Sequence, residues 1–543
     1  MKQHLIILSI ALTLTTIFVS NVNAEEKKET CPLHLQTDKK LYVSGESISF
    51  KCVLSPAKLQ TSSILFVDIC GEGYLLSSYI LKAENGCWNG EVSIPDSVQT
   101  GVYLLRAYLG NKQGNPLITS QPISILSRFG KNEKNEIRKI DASYQSLNQL
   151  NTLEPSGELL RTYAQTDHCL PGGSLKFWIE NDLRECDGGI SFSVFKVEDG
   201  EQSETNVPAN YSAYTSNDEV KIYENYTVRG MIRSVETQEP VRNEIVYFSI
   251  PDSIAQIKYD FTDAEGIFRF HLNDYTPNQE VIIQTRGKST SYNIKLYPSQ
   301  LIPPKQIPFF IPTEVEKSEF AQLAIQRATL HKAYIEVKQE ELPRAKYRYP
   351  FYGIAQSRVI PDKYVDLTDF KEIAWEILPL VKYRQIKDST SLKIWSQELN
   401  IVLFNPMMLV DGVPVSSPAS LNVLNSKSIK WIDIQPQIRC YGNMLFEGLI
   451  NVQTYKGDFS EVELPLNAIE TELEKFYNPK KDKQIQPLFR DVLYWDPYID
   501  PSKKVYQIDV PCSYEKGKYI AIAQSFDDKG KLNRSVFQFE VTN

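Results

Sequence analysis

The chain has 543 residues, 59 Lys and Arg against 67 Asp and Glu, a formal net charge of -8 and 42% hydrophobic residues. That length divides into roughly three to five domains with cores of their own, and a 23% charged fraction excludes wholesale disorder. The acidic balance excludes nucleic acid and anionic lipid as main partners, because both demand a basic surface.

Residues 1–24 open with Lys2, run through the apolar stretch Leu5 to Val19 and close on Val22-Asn23-Ala24. A positive start, a short apolar run and small residues at the end read as a secretory signal peptide. The run is shorter than the ~20 residues a membrane span needs. No later segment reaches 18 apolar residues in a row, so no transmembrane segment is expected after signal cleavage.

Residues 31–128 read as short strands between turn signals. Leu65, Val67 and Ile69 alternate with Phe66 and Asp68, and residues 102–109 alternate likewise. Period two with Gly, Pro and Asn punctuation predicts an antiparallel sandwich. The charged run Lys131 to Lys139 reads as a linker. In 150–222, "TDHCLPGGSLKFWI" echoes "TDKKLYVSGESISFKC" from Thr37, a weak internal repeat that predicts a second sandwich of the same kind. Residues 223–298 predict a third.

Residues 299–345 hold Pro303, Pro304, Pro308 and Pro312 and should begin extended. From Glu316 to Glu341 the spacing of Phe320, Leu323, Ala324, Ile325 and Leu330 predicts a helix. Residues 346–460 mix both types. "DFKEIAWEILPLV" predicts a short helix capped by Asp369, and "SSPASLNVLN" another with Ser417 as cap and Pro418 in its first turn. "PMMLVDGVPV" predicts a strand and tight turn, and "KWIDIQP" and "GLINVQTY" predict strands. Residues 484–543 read as a separate C-terminal β domain with a hairpin turn at Asp527-Asp528-Lys529-Gly530.

All 8 cysteines follow the signal segment. Export would permit disulfides. Cys169 and Cys186 fall in one expected domain and form the favoured bridge; Cys440 and Cys512 read as buried thiols in different domains.

Four segments are similar to known families. Residues 31–127, with "TDKKLYVSGESISFKC" and "IPDSVQTGVYLLRAY", resemble the MG2 domain of alpha-2-macroglobulin-type proteins. Residues 225–285, with "VRGMI", Pro240 and "FTDAEGIFRF", resemble the carboxypeptidase regulatory-like sandwich. Residues 406–457 resemble the plug of TonB-dependent outer-membrane receptors, through "PMMLVDGVPV", "SIKWIDIQP", Tyr441-Gly442 and "GLINVQTYKG". The tail, "PLFRDVLYWDP" and "GKYIAIAQSFDDKG", resembles the terminal β domain of large exported Gram-negative proteins that combine these parts. The resemblance implies a mainly-β fold: tandem sandwiches, macroglobulin-like and transthyretin-like, plus a small α/β plug-like module. Only about 85 residues follow Asp458, too few for a receptor's barrel of many ~10-residue strands.

Motifs for chemistry are sparse. Cys70-Gly71-Glu72-Gly73 resembles the macroglobulin thioester, but Gly73 replaces the Gln that would acylate the Cys sulfur. Asp167-His168-Cys169 places neighbours on opposite faces of a strand, which prevents convergence on one ion. No HExxH, GxSxG or phosphate-binding Gly-rich loop occurs. No catalytic residue, cofactor or metal is therefore expected. The plug-like turn Asp411-Gly412-Pro414, with Gly442 and Gly448, is the candidate for structure or docking. The reading is an exported, non-catalytic binding or assembly protein of the periplasm or outer membrane, partnered by envelope proteins such as a barrel receptor. Its alternatives are a hydrolase with an inter-domain site and a macroglobulin-like protease trap without a thioester.

Overall fold

The computed structural model describes residues 33–55, 64–83, 86–110, 116–129, 145–146, 158–183, 186–197, 221–222, 225–272, 280–286, 290–307, 309–310, 317–334, 349–364, 367–386, 389–472, 491–527 and 529–543. The expected signal peptide and the charged linker lie outside these residues.

The first sandwich packs strands Leu33–Thr37, Ser47–Leu54 and Cys87–Ser93 against a sheet ordered Leu41–Val43, Leu117–Leu126, Gly101–Leu109, Ile64–Gly71, Tyr74–Lys82. Alternation drives Leu65, Val67 and Ile69 into the core with Phe50, Trp88 and Leu105. The tetrad at Cys70 is a strand end followed by a turn, with Cys70 buried.

The second sandwich repeats this topology strand for strand. Leu160–Ala164, Ser174–Asn181 and Val505–Pro511 form one sheet; the other runs His168–Cys169, Leu532–Val541, Gly517–Asp527, Cys186–Val197, Val492–Ile499. The Gly turns of the echoed segments coincide, with Gly45 at φ +88 and Gly172 at φ +72. Each sandwich also has the same corner: Tyr103 donates to the Gln99 carbonyl and Tyr519 to the Glu515 carbonyl, both at 3.0 Å. In the first sandwich the fourth and fifth strands are joined by a turn after Gly71. In the second, the chain leaves after Val197 and returns at Val492. The expected division into a 150–222 sandwich and a separate 484–543 domain is therefore corrected. Neither segment has enough strands to enclose a core, and together they bury Phe177, Phe192, Tyr519 and Phe539 in one.

The pairing of cysteines is corrected with it. Cys169 is bonded to Cys512, 343 residues away, rather than to Cys186. Cys440 is exposed rather than buried.

Between those halves lie two further units. The third sandwich pairs the sheet Ile267–His271, Thr227–Ser234, Tyr292–Leu296 with Gln256–Phe261, Ile245–Ile250, Glu280–Thr285. It borrows a last strand, Ile469–Glu472, from beyond the expected boundary at 298. The fourth unit has a five-stranded sheet, Ser357–Val359, Ile429–Tyr441, Met444–Thr454, Met407–Val410, Val413–Val415, and a three-stranded sheet, Val381–Ile386, Ser389–Ser396, Ile401–Leu403. Its helix Phe370–Glu376 begins where Asp369 accepts from the Glu372 amide, and the 3-10 turn Pro418–Leu421 begins where Ser417 accepts from Ala419.

Buried polar contacts join the units. Arg106 grips Asp68 through Nε and Nη2, both 2.7 Å, and donates to the Leu301 and Ile302 carbonyls of the Pro-rich segment. Glu72 accepts from the Ile307 amide at 3.0 Å. The helix Glu319–Tyr334 turns Ala321, Ala324 and Ala328 onto Val43 and Leu126 of the first sandwich. Its expected apolar positions Leu323 and Leu330 face solvent instead: small alanines let the helix approach closely, so they form its buried stripe. From the same helix Arg327 reaches Asp491 at 2.6 Å and Glu515 at 2.8 Å in the second sandwich.

Candidate functional site

The plug-like turn faces inward. Asp411 is fully buried at φ +49. One carboxylate oxygen accepts from Gln453 Nε2 and the Thr454 amide, the other from Thr454 Oγ1 and the Phe459 amide, at 2.7 to 3.1 Å. Burial pushes its pKa above the ordinary carboxylate range, and the Thr454 and Phe459 hydrogen bonds oppose that shift. Gly412, at φ +81, lies so close to the third sandwich that a Cβ would come within 2.9 Å of Ala255 Cα. The Pro414 carbonyl accepts from Gln284 Nε2 at 2.8 Å. Asp411, Gly412 and Pro414 thus join the fourth unit to the chain's own third sandwich.

Gly442, at the tip of the hairpin Ile429–Tyr441 and Met444–Thr454, makes the same kind of joint. A Cβ there would collide with the Tyr259 hydroxyl, which accepts from the Asn443 and Met444 amides. Gly448 lies beneath Ile394 and Leu403 of the three-stranded sheet. Cys169 lies in the second sandwich, so the structure does not gather the sequence-picked residues into one site.

An outward-facing candidate lies elsewhere in the fourth unit. The 3-10 turn Pro361–Lys363 and the helix Phe370–Glu376 frame an open groove of about 920 Å³, lined by Lys363, Tyr364, Leu367, Glu372, Trp375, Glu376 and Ile377. The helix buries Phe370, Ile373 and Ala374, which turns Trp375 outward with 56% of its surface exposed. Trp375 Nε1 donates to the Tyr383 carbonyl at 3.0 Å and Lys371 Nζ lies 4.7 Å from its ring, so the ring is held. Tyr364, 52% exposed, is the second aromatic wall.

The groove presents two carboxylates, one ammonium group and two aromatic rings among aliphatic side chains. None of its lining side chains is Ser, Thr, Cys or His. Glu372 accepts from the Thr368 amide at 2.8 Å, and that bond holds its carboxyl below the usual range, so it stays ionised at neutral pH. Among the described residues, no three His, Cys, Asp or Glu side chains gather as a metal site. Sequence reasoning missed the groove because it read "DFKEIAWEILPLV" only as a capped helix, whose buried stripe is Phe370, Ile373 and Ala374. The signal was Trp375, an aromatic off that stripe.

No family model and no curated protein sequence matches the chain. Solved structures similar to it include Salmonella alpha-2-macroglobulin reacted with methylamine, at 10% identity, a TM-score of 0.15, 94% of this chain and 23% of that one. They also include trypsin-activated alpha-2-macroglobulin from Escherichia coli, at 8% identity, a TM-score of 0.22, 94% of this chain and 41% of that one. The chain thus spans less than half the length of either.

Proposed function

We propose that this protein is a non-catalytic binding or assembly component of the bacterial cell envelope, exported by its N-terminal segment. Two like sandwiches form the frame, and the plug-like fourth unit presents the binding surface to an envelope protein. The observation that carries this reading is the distribution of apolar surface. Thirteen of the twenty-four exposed large apolar side chains among the described residues fall between Tyr349 and Leu466. Two of them, Tyr364 and Trp375, wall one groove, and an aromatic-walled groove suits an anchoring side chain of a partner.

The plug-like turn cannot itself be the partner-facing element in this arrangement, because Asp411 and Gly412 are enclosed by the chain's own packing. The groove at Trp375 takes that role. A photo-crosslinking amino acid at Tyr364, in cells carrying the full-length protein, should yield an adduct with a discrete envelope protein. Recovery of uncrosslinked monomer alone would overturn the reading.

A further inference from the structure

The three-stranded sheet of the fourth unit has a second, chemically different face. Tyr383, Leu392, Ile394 and Leu403 point into the core. Alternation therefore places Lys382 and Arg384 on the outer face of their strand, with Lys393 and Trp395 on the next. Lys382 stands directly opposite Lys393, and Arg384 opposite Ser391. Like charges in directly opposed positions destabilise a sheet. None of the three cations forms an ion pair with a described residue, in a chain whose net charge is -8. Beside them are rings. Lys393 Nζ lies 4.6 Å from the centroid of Phe404, which is 58% exposed, and half-buried Trp395 pairs with Val402.

We propose that this face binds a linear acidic polysaccharide, with carboxylates on Lys382, Arg384 and Lys393 and sugar rings against Phe404 and Trp395. Side chains two apart on a strand stand about 7 Å apart, and opposed residues about 5 Å. That spacing is on the scale of one sugar ring, and across the three strands Lys382, Lys393 and Phe404 set two cations beside one ring. A phosphate polymer would need a far broader basic field to overcome the acidic remainder of the chain. An acidic peptide could use the cations but has no repeating ring to set on Phe404. The like-charge pair of exposed Lys382 and half-buried Lys393 is relieved when an anion lies between its members.

The test uses the full-length protein and polygalacturonate at low ionic strength, with methyl-esterified polygalacturonate and poly-glutamate as comparisons. Polygalacturonate should bind saturably, and at least tenfold more tightly than its ester. Lys382→Gln with Lys393→Gln should weaken binding at least tenfold, and Phe404→Ala about threefold or more. Arg384→Gln, on the exposed end of the same strand, gives an independent reading of the charge. All should melt near the wild type, and the double Gln variant no lower, since it removes a repulsion. The Tyr364 crosslink should survive in each. No saturable binding, equal binding of the ester, or poly-glutamate binding as tightly with Phe404→Ala unaffected would overturn the proposal, the last in favour of an acidic peptide.

Discussion

Lys51 Nζ donates to the carbonyl oxygen of Gly189 at 3.0 Å, across the joint between the two like sandwiches. Around it, Ser191 donates to Gln36 at 2.8 Å and His34 stacks on Phe526 at 4.1 Å. The joint is thus a packed layer, polar at Lys51 and Ser191 and apolar where Val53 and Cys87 meet Phe526, rather than a loose tether.

Burial pushes the Lys51 pKa down from 10.5 to about 8. Between those values the unfolded chain binds more protons than the folded one, so stability rises with pH across that window. The penalty is fully present below pH about 8. Lys51→Met carries no such penalty. Its stability relative to wild type, read by urea denaturation, should decline by up to about 3 kcal/mol between pH 7.5 and 10.5. A constant difference across that range would show that Lys51 is not buried as described.

Arg106 and Asp68 form a bidentate pair with 2% and 0% side-chain exposure, and Arg106 also holds two carbonyls of the Pro-rich segment. Arg106→Met strands a buried carboxylate and should cost roughly 3–5 kcal/mol, whereas Arg106→Met with Asp68→Leu should recover a large part. A double-mutant cycle measures this. Equal losses in the single and double variants would mean that the pair contributes little.

Local chemistry made much of this fold legible in the sequence. The caps at Asp369 and Ser417, the hairpin turn at Asp527 and the alternation at Leu65 all lie where short-range rules place them. Long-range pairing did not show. Nothing local in "FSVFKV" states that Phe195 pairs with Ile520 on one side and Val492 on the other. The two corner tyrosines were available as a signal: Gly101 with Tyr103 and Gly517 with Tyr519 share spacing, and matching them joins the tail to the second sandwich. For the site, the plug-like motif was visible but its burial was not, because enclosure depends on Ala255 and Tyr259 from another unit.

Asp411 accepts four hydrogen bonds at the joint with the third sandwich. Asp411→Ala leaves buried amides without an acceptor and should cost about 3 kcal/mol or more. Hydrogen exchange should also accelerate around Asp252, whose amide donates to the Asp411 carbonyl at 3.2 Å. Unchanged exchange there would separate the turn from the joint.

Trp375 is more than half exposed and its ring donates one hydrogen bond. Trp375→Ala should cost stability only about 1 kcal/mol, yet abolish the Tyr364 crosslink to the envelope partner. A variant that crosslinks as well as wild type would move the binding surface elsewhere.

Two distant segments of the chain close one sandwich, with the third and fourth units inserted between them. Peptide mapping of the oxidised, full-length protein under non-reducing conditions tests this directly. The predicted result is a peptide carrying Cys169 linked to Cys512. Breaking that link with Cys169→Ser should cost roughly 2–5 kcal/mol. A Cys169–Cys186 peptide would contradict the account, since it would leave the tail free to fold as a domain of its own.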